Sequence, residues 1–262
     1  VSILTVENLR IVFGGVVAID GVSFAVRPNE IFALIGPNGA GKTTLFNMVS
    51  GLYVPNSGRI VLAGEDVTNL APQELARRGM SRTFQNLQVF FRMTAAENVM
   101  VGRHLHERRN VLSHVLTLPS VHAQNRATRA EAERLLDLVG LAGVGDKPAS
   151  SLPYGMLKRL EIARALATEP KVLLLDEPAA GCNPIETEEI DAVIKAIAAQ
   201  GVTVVLVEHD MRLVMRISDR IHVLDRGRTL AEGSADEVRT NPAVVTAYLG
   251  GLGEQEAAHA RH

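Results

Sequence analysis

The stretch that most restricts what this chain can become is GPNGAGKTT, residues 36–44, which follows the apolar run IFALI and opens the segment KTTLFNMVSG. Glycines at 36, 39 and 41 allow backbone angles that a side chain would resist, so successive N–H groups can turn toward one point. A helix starting there adds the positive end of its dipole. This is the pattern G-x-x-x-x-G-K-[ST] in the strand–loop–helix context it needs, and it makes an anion site suited to the phosphates of a nucleotide. Gly36, Pro37, Asn38, Gly39, Ala40, Gly41, Lys42, Thr43 and Thr44 are the expected cradle. Lys42 is placed to reach the β- and γ-phosphates of ATP, and the Thr43 hydroxyl to face Mg2+.

A loop of this kind needs a buried parallel sheet behind it, and the second half of the chain supplies one. From Gly155 onward, helix (MLKRLEIARALAT), strand (KVLLLD), helix (IETEEIDAVIKAIAAQ), strand (VTVVLVEH), helix (MRLVMRI) and strand (RIHVLDRG) alternate. Such βαβ alternation predicts a parallel sheet covered on both faces. Between Val1 and about Leu62, short β-rich runs separated by turn signals predict an N-terminal antiparallel subdomain. The middle changes character. Ala132, Leu135, Leu136 and Val139 fall on one face at helical spacing, so a helical insert is expected there, about 90–168 in all. The fold class is therefore α/β, one domain over 1–250, with 251–262 as a flexible tail lacking apolar period.

Bulk properties narrow the partners. The 262 residues include 27 basic and 29 acidic, a net charge of −2, so no basic footprint of the kind nucleic acid requires is present. Apolar runs are far shorter than the roughly 20 residues of a spanning helix, so any membrane role is expected to act through a partner. The lone Cys182 permits no internal disulfide, and the first residues lack the apolar run of a signal peptide, which points to the cytoplasm.

Two further strand ends carry chemistry. KVLLLDEP terminates in Asp176 and Glu177, and on an extended backbone their side chains face opposite ways, one toward a metal ion and the other toward an attacking water. Asp176 is assigned to Mg2+ and Glu177 to the base. VTVVLVEHD ends in Glu208, His209 and Asp210, which places an imidazole at the same carboxyl edge, where ligands of parallel sheets bind.

In this order the pieces resemble the nucleotide-binding subunits of ATP-binding-cassette transporters, over nearly the whole chain to about Gly250. The resemblance implies the P-loop fold of that family, with a mixed sheet core. It implies that Leu152, Pro153, Tyr154, Gly155 and Met156 stand where the family carries its LSGGQ signature, which meets the γ-phosphate held by a second cassette. Pro153 offers no N–H donor and Met156 replaces a glutamine, so a working but slowed site is expected. Gln85 resembles the glutamine that touches Mg2+ and the attacking water, and Phe13 the aromatic that stacks on adenine. AAGCNP, residues 179–184, resembles the loop crossing between subunits, with Asn183 where aspartate is common.

RTFQNLQVFFRMTAAENVMVGRH, DEPAAGCNP and EHDMRLVM are most similar to the larger ATPase of branched-chain amino-acid importers. Close relatives of those importers move urea or short amides. That implies a second cassette, identical or different, transmembrane permease subunits, and indirectly a periplasmic solute-binding protein. It also implies a peripheral location on the cytoplasmic face of the inner membrane. Phe90, Phe91 and Met93 mark either the expected docking place of the membrane subunit or part of the core. Two other readings stand beside it: a non-transport ATPase of the same architecture, such as one for cluster assembly, and a module that clamps on ATP with impaired turnover.

Overall fold

The computed structural model describes residues 1–83, 87–106 and 119–248. Gln85 and the tail 251–262 lie outside the described residues.

The chain opens with β1 (Leu4–Phe13) and β2 (Val16–Val26), joined through Gly14 and Gly15. Both glycines have positive φ, 53° and 88°, as a two-residue hairpin whose twist matches its strands requires. With β4 (Ser57–Leu62) and β5 (Glu65–Asp66) they form an antiparallel sheet in the order β2-β1-β4-β5.

The second sheet carries the strands that lead into the glycine loop, Glu177 and His209. It consists of β3 (Ile31–Ile35), β6 (Met80–Arg82), β7 (Val172–Asp176), β8 (Thr203–Val207), β9 (Arg220–Asp225) and β10 (Arg228–Gly233), in the order β10-β9-β3-β8-β7-β6. All pairings are parallel except β9 with β10. The sequence reading stops at β9. β10 is exposed or half-exposed along its length, so it lacks the apolar signal that reveals its neighbours.

Period-two alternation divides the sheet's side chains between two cores. Phe32, Leu34, Val172, Leu174, Val205 and Val207 face α1 (Lys42–Val49) and the antiparallel sheet, packing on Leu45, Phe46 and Met48. Ile31, Ala33, Ile35, Leu173, Leu175 and Leu206 face the opposite way, into a core shared with α3 (Ala95–Gly102), α4 (Pro119–Leu138), α5 (Tyr154–Leu166) and α6 (Pro184–Ala199). The helix that starts at the phosphate loop is thus enclosed between two sheets, which holds its N-terminus in place.

Among the described residues there are also three smaller α-helices, α2 (Pro72–Arg77), α7 (Met211–Ile217) and α8 (Ala235–Thr240). Ala132, Leu135, Leu136 and Val139 are buried as one face. Helices α3 and α5 approach so closely that a Cβ on Gly102 would lie 2.2 Å from the Arg164 carbonyl oxygen. Thr94 caps α3 through a capping box with Glu97. Among the described residues no helix is long and apolar enough to cross a membrane.

Candidate active site

The loop after β3 is shaped by close approaches that exclude side chains. A Cβ on Gly36 would lie 2.2 Å from the Leu224 carbonyl oxygen, and one on Gly41 would lie 2.7 Å from Ile19 Cδ1, with φ at +98°. Gly41 is also the N-cap of α1 and offers no side-chain cap, so the first N–H groups of the helix face the loop. Lys42 folds back across the loop, its Nζ donating to Gly36 O at 2.7 Å and Pro37 O at 3.1 Å. Burial lowers the Lys42 pKa, and the charge of Glu177 opposes that shift. A cavity of about 560 Å³ opens here, lined by the run Asn38 to Thr44, by Val16, Val17 and Ala18, and by Glu177 and Arg226.

Asp176 is the last residue of β7 and shares its parity with Val172 and Leu174, so it points to the α1 side of the sheet. It is 4% exposed. Its Oδ2 lies 2.6 Å from Nη2 of Arg82, at the end of β6. Glu177 does not continue the strand: its φ is 47°, the left-handed region. The expectation of two acids alternating on an extended backbone is therefore corrected, because the chain turns at Glu177 itself. The turn is held by Glu177 N donating to Val207 O at 2.9 Å, and it brings Glu177 into the wall of the cavity.

His209 arrives at the same edge from β8. Its Nδ1 lies 3.7 Å from Glu177 Oε2 and 3.8 Å from Glu208 Oε2, with the ring 63% exposed. Asp210 caps α7, accepting from the N–H groups of Arg212 and Leu213, which fixes the turn that presents His209. Glu208, to which the sequence pattern assigns no role, braces two loops in the structure. Its buried carboxylate accepts from Ala179 N at 3.0 Å and His209 N at 3.1 Å, joining the loop after Glu177 to the loop carrying His209. Burial raises its pKa against those hydrogen bonds. An acid closing an otherwise apolar strand is the signal that could have found it.

The residues present fit a hard divalent ion. The available donors are oxygens: the Thr43 hydroxyl and the carboxylates of Asp176 and Glu177. Among the described residues no cluster of three or more His, Cys, Asp or Glu could hold a metal by itself. Hard oxygen donors of this kind suit Mg2+, which keeps waters and takes one or two carboxylates together with substrate phosphates.

Leu152 to Met156 lie elsewhere, and none of them lines the cavity of the phosphate loop. Pro153 is the N-cap of α5, with φ −57° and ψ 157°, and it contributes neither a side-chain cap nor an N–H. Leu152 and Gly155 are buried, while Met156 is half-buried against the large core. The Tyr154 hydroxyl donates to Ala180 O at 3.3 Å. The N–H of Gly155 is taken up by the chain itself, donating to Glu186 Oε1 at 3.3 Å. Glu186 in turn belongs to the capping box of α6, in which Asn183 Oδ1 accepts from Ile185 N and Glu186 N, both at 3.0 Å. The segment LPYGM and the loop that follows Glu177 are therefore fastened to one another. Burial raises the pKa of the Cys182 thiol.

Phe13 is 44% exposed at the end of β1 and meets the edge of Tyr53 with ring centroids 5.4 Å apart. Its register partner Val16 lines the cavity, so the aromatic stands beside the cavity's mouth. Phe90, Phe91 and Met93 are exposed, and Arg164 lies over the Phe90 ring at 5.4 Å.

Comparison with known proteins identifies the family. The ABC transporter family matches residues 19–180, and the branched-chain amino acid ATP-binding cassette transporter family matches residues 228–253. The chain is 45% identical over 249 residues to the high-affinity branched-chain amino acid transport ATP-binding protein BraF of Pseudomonas aeruginosa, covering 95% of this chain and 98% of that one. It is 44% identical to LivG of Escherichia coli, a protein of the same description, with the same coverage. Among solved structures it matches the ADP conformation of MJ1267, an ATP-binding cassette of an ABC transporter, with TM-score 0.82, 32% identity and coverage of 95% and 99%. A phosphate loop, a buried acid and a histidine at one sheet edge, on a cassette fold matched along 95% of the chain, place this protein in the ATP-binding cassette ATPases of the ABC transporter family.

Proposed function

We propose that this chain is the ATP-hydrolysing subunit of an importer for branched-chain amino acids or related amides. The observation that carries the reading is the convergence of the glycine loop, Lys42 and Glu177 on one cavity, with Asp176 at the end of the strand that delivers Glu177, in a chain 45% identical to a branched-chain amino acid transport ATP-binding protein. It works with Mg2+, a second cassette and transmembrane permease subunits, at the cytoplasmic face of the inner membrane, and indirectly with a periplasmic solute-binding protein.

In this mechanism the N–H groups of residues 38–44 and the Lys42 ammonium hold the phosphates of ATP, and Phe13, at the cavity's mouth beside Val16, stacks on the base. Thr43, Asp176 and Gln85 would hold Mg2+, which when bound would supply charge neutralisation to the phosphates. Glu177 accepts the proton of the attacking water, and its turn out of β7 places the carboxylate in the cavity instead of under the sheet. His209 lies near enough to Glu177 to orient it or to meet the γ-phosphate. The segment 152–156 completes the site of the partner cassette and not its own, which accords with its position outside the cavity. For that contact Gly155 N–H must exchange the Glu186 carboxylate for a phosphate oxygen.

Reconstitution tests the reading. With its second cassette, permeases and binding protein in proteoliposomes, the chain should drive ATP-dependent uptake of leucine, isoleucine or valine, abolished by Glu177→Gln. ATP hydrolysis that no branched-chain amino acid or short amide stimulates would refute import of this class.

A further inference from the structure

Arg82 is a buried charge to which the mechanism above gives no part. It ends the three-residue strand β6, which pairs with β7, and its side chain is 9% exposed. Nη2 lies 2.6 Å from Asp176 Oδ2. Nη1 donates to Asn47 Oδ1 at 2.8 Å and to Ser50 Oγ at 2.5 Å, both at the far end of the phosphate-loop helix α1. The guanidinium carbon sits 4.9 Å from the centre of the Phe46 ring, also on α1. The neighbouring residue contributes as well: Asp176 N donates to Thr83 Oγ1 at 3.3 Å, and Thr83 N donates to Leu174 O at 2.9 Å.

Buried ion pairs seldom add net stability, since removing both charges from water offsets their attraction. What a planar guanidinium does supply is direction, because its donors leave in a fixed fork. Here one arm of the fork grips the acid at the end of β7 and the other grips the helix whose first turn carries Lys42 and Thr43. We infer that Arg82 is a positioning residue for the metal-binding acid: it sets the rotamer of Asp176 relative to the start of α1, so that the Asp176 carboxylate and the Thr43 hydroxyl are held to one ion. This rests on the reading of Asp176 as a Mg2+ residue. It also ties the strand that leads toward Gln85 to the same acid through Arg82 and Thr83.

The alternative role of Arg82, plain charge neutralisation, predicts the opposite sign. Without its cation Asp176 would carry an uncompensated charge and draw a divalent ion more tightly. Lost positioning instead weakens the ion, by about tenfold, as removal of an outer partner of a metal ligand commonly does. The assay is Mn2+ binding by electron paramagnetic resonance on the full chain with a non-hydrolysable ATP analogue, which reads ion occupancy without turnover. Arg82→Met should raise the Mn2+ concentration for half-occupancy about tenfold while leaving metal-free nucleotide binding within about twofold, and Arg82→Lys should recover part of the loss. Tighter Mn2+ binding in Arg82→Met, or unchanged binding beside a weakened Asp176→Asn, overturns the inference. Unchanged binding in both Arg82→Met and Asp176→Asn overturns the metal reading of Asp176, and this one with it. Should Arg82→Met fail to fold, Asn47→Ala with Ser50→Ala, which releases the other arm, decides the matter: a loss of about threefold supports positioning and an unchanged affinity refutes it.

Discussion

Gly155→Ala separates what the LPYGM turn does for stability from what it does for association. A Cβ at Gly155 would lie 2.6 Å from Cδ and Oε1 of Glu186, both at the far end of a flexible side chain, so the carboxylate swings away and the backbone stays. Two hydrogen bonds are lost, Gly155 N to Glu186 Oε1 at 3.3 Å and Asn183 N to Glu186 Oε2 at 3.0 Å. Long or exposed as they are, they contribute about 1–1.5 kcal/mol together. Alanine in place of glycine inside a helix returns about 0.5–1 kcal/mol. The net loss is therefore about 0.5 kcal/mol, a fall of roughly 1–2 °C in thermal midpoint for a chain of this size. Association should suffer far more, because the methyl remains at the N–H that the proposed mechanism gives to the partner's γ-phosphate. Loss of one charged hydrogen bond, about 1.5–3 kcal/mol, is a weakening of roughly ten- to a hundredfold. Calorimetry gives the first quantity, and light scattering with the second cassette and ATP, in the Glu177→Gln background, gives the second. Glu186→Ala loses the same two hydrogen bonds without the glycine-to-alanine gain, about 1–1.5 kcal/mol, yet should associate at least as well as the parent, since it frees the N–H. A Gly155→Ala protein destabilised by about 3 kcal/mol or more, or one that associates normally, would refute this reasoning.

Glu177→Gln should reduce ATP turnover by about a hundredfold or more without loss of nucleotide binding, measured by phosphate release and fluorescent-nucleotide titration. Asn183→Ala removes the acceptor for two N–H groups of α6 and should lower stability by about 1 kcal/mol, read from urea midpoints at constant slope. Burial pushes the Tyr248 phenol up to about 12, against a hydrogen bond from the Gly36 backbone. Its folded pKa lies above the unfolded value near 10, so the proton is held longer in the folded chain. The associated stability is full below about pH 10 and is lost as pH rises through about 12. A 295 nm titration difference between the parent and Tyr248→Phe should show that step, and a step near pH 10 would contradict it.

How much of this was legible beforehand follows from what kind of information each feature needs. GPNGAGKTT announces its own geometry, because positive φ and close backbone approach restrict residue type locally. β3, β7 and β8 announce themselves through unbroken apolar runs, since a strand buried on both faces tolerates little else. Asp176, Glu177 and His209 could be put at one edge because parallel strands deliver their carboxyl ends together. The sequence alone thus determined the buried parallel strands, the glycine loop and the meeting of Asp176, Glu177 and His209 at one edge.

Other features were settled only in three dimensions. That Glu177 turns in the left-handed region, that Arg82 joins Asp176 to α1 across 94 positions, and that Glu186 occupies the Gly155 N–H across 31 are contacts between distant segments. A lone arginine after a short strand, or a glutamate in the first turn of a helix, has the same composition whether it faces solvent or a buried partner. Packing decides between those, because a side chain's partner depends on which backbone the fold brings within about 3 Å of it. That distance is a property of the assembled core and not of any local run of residues.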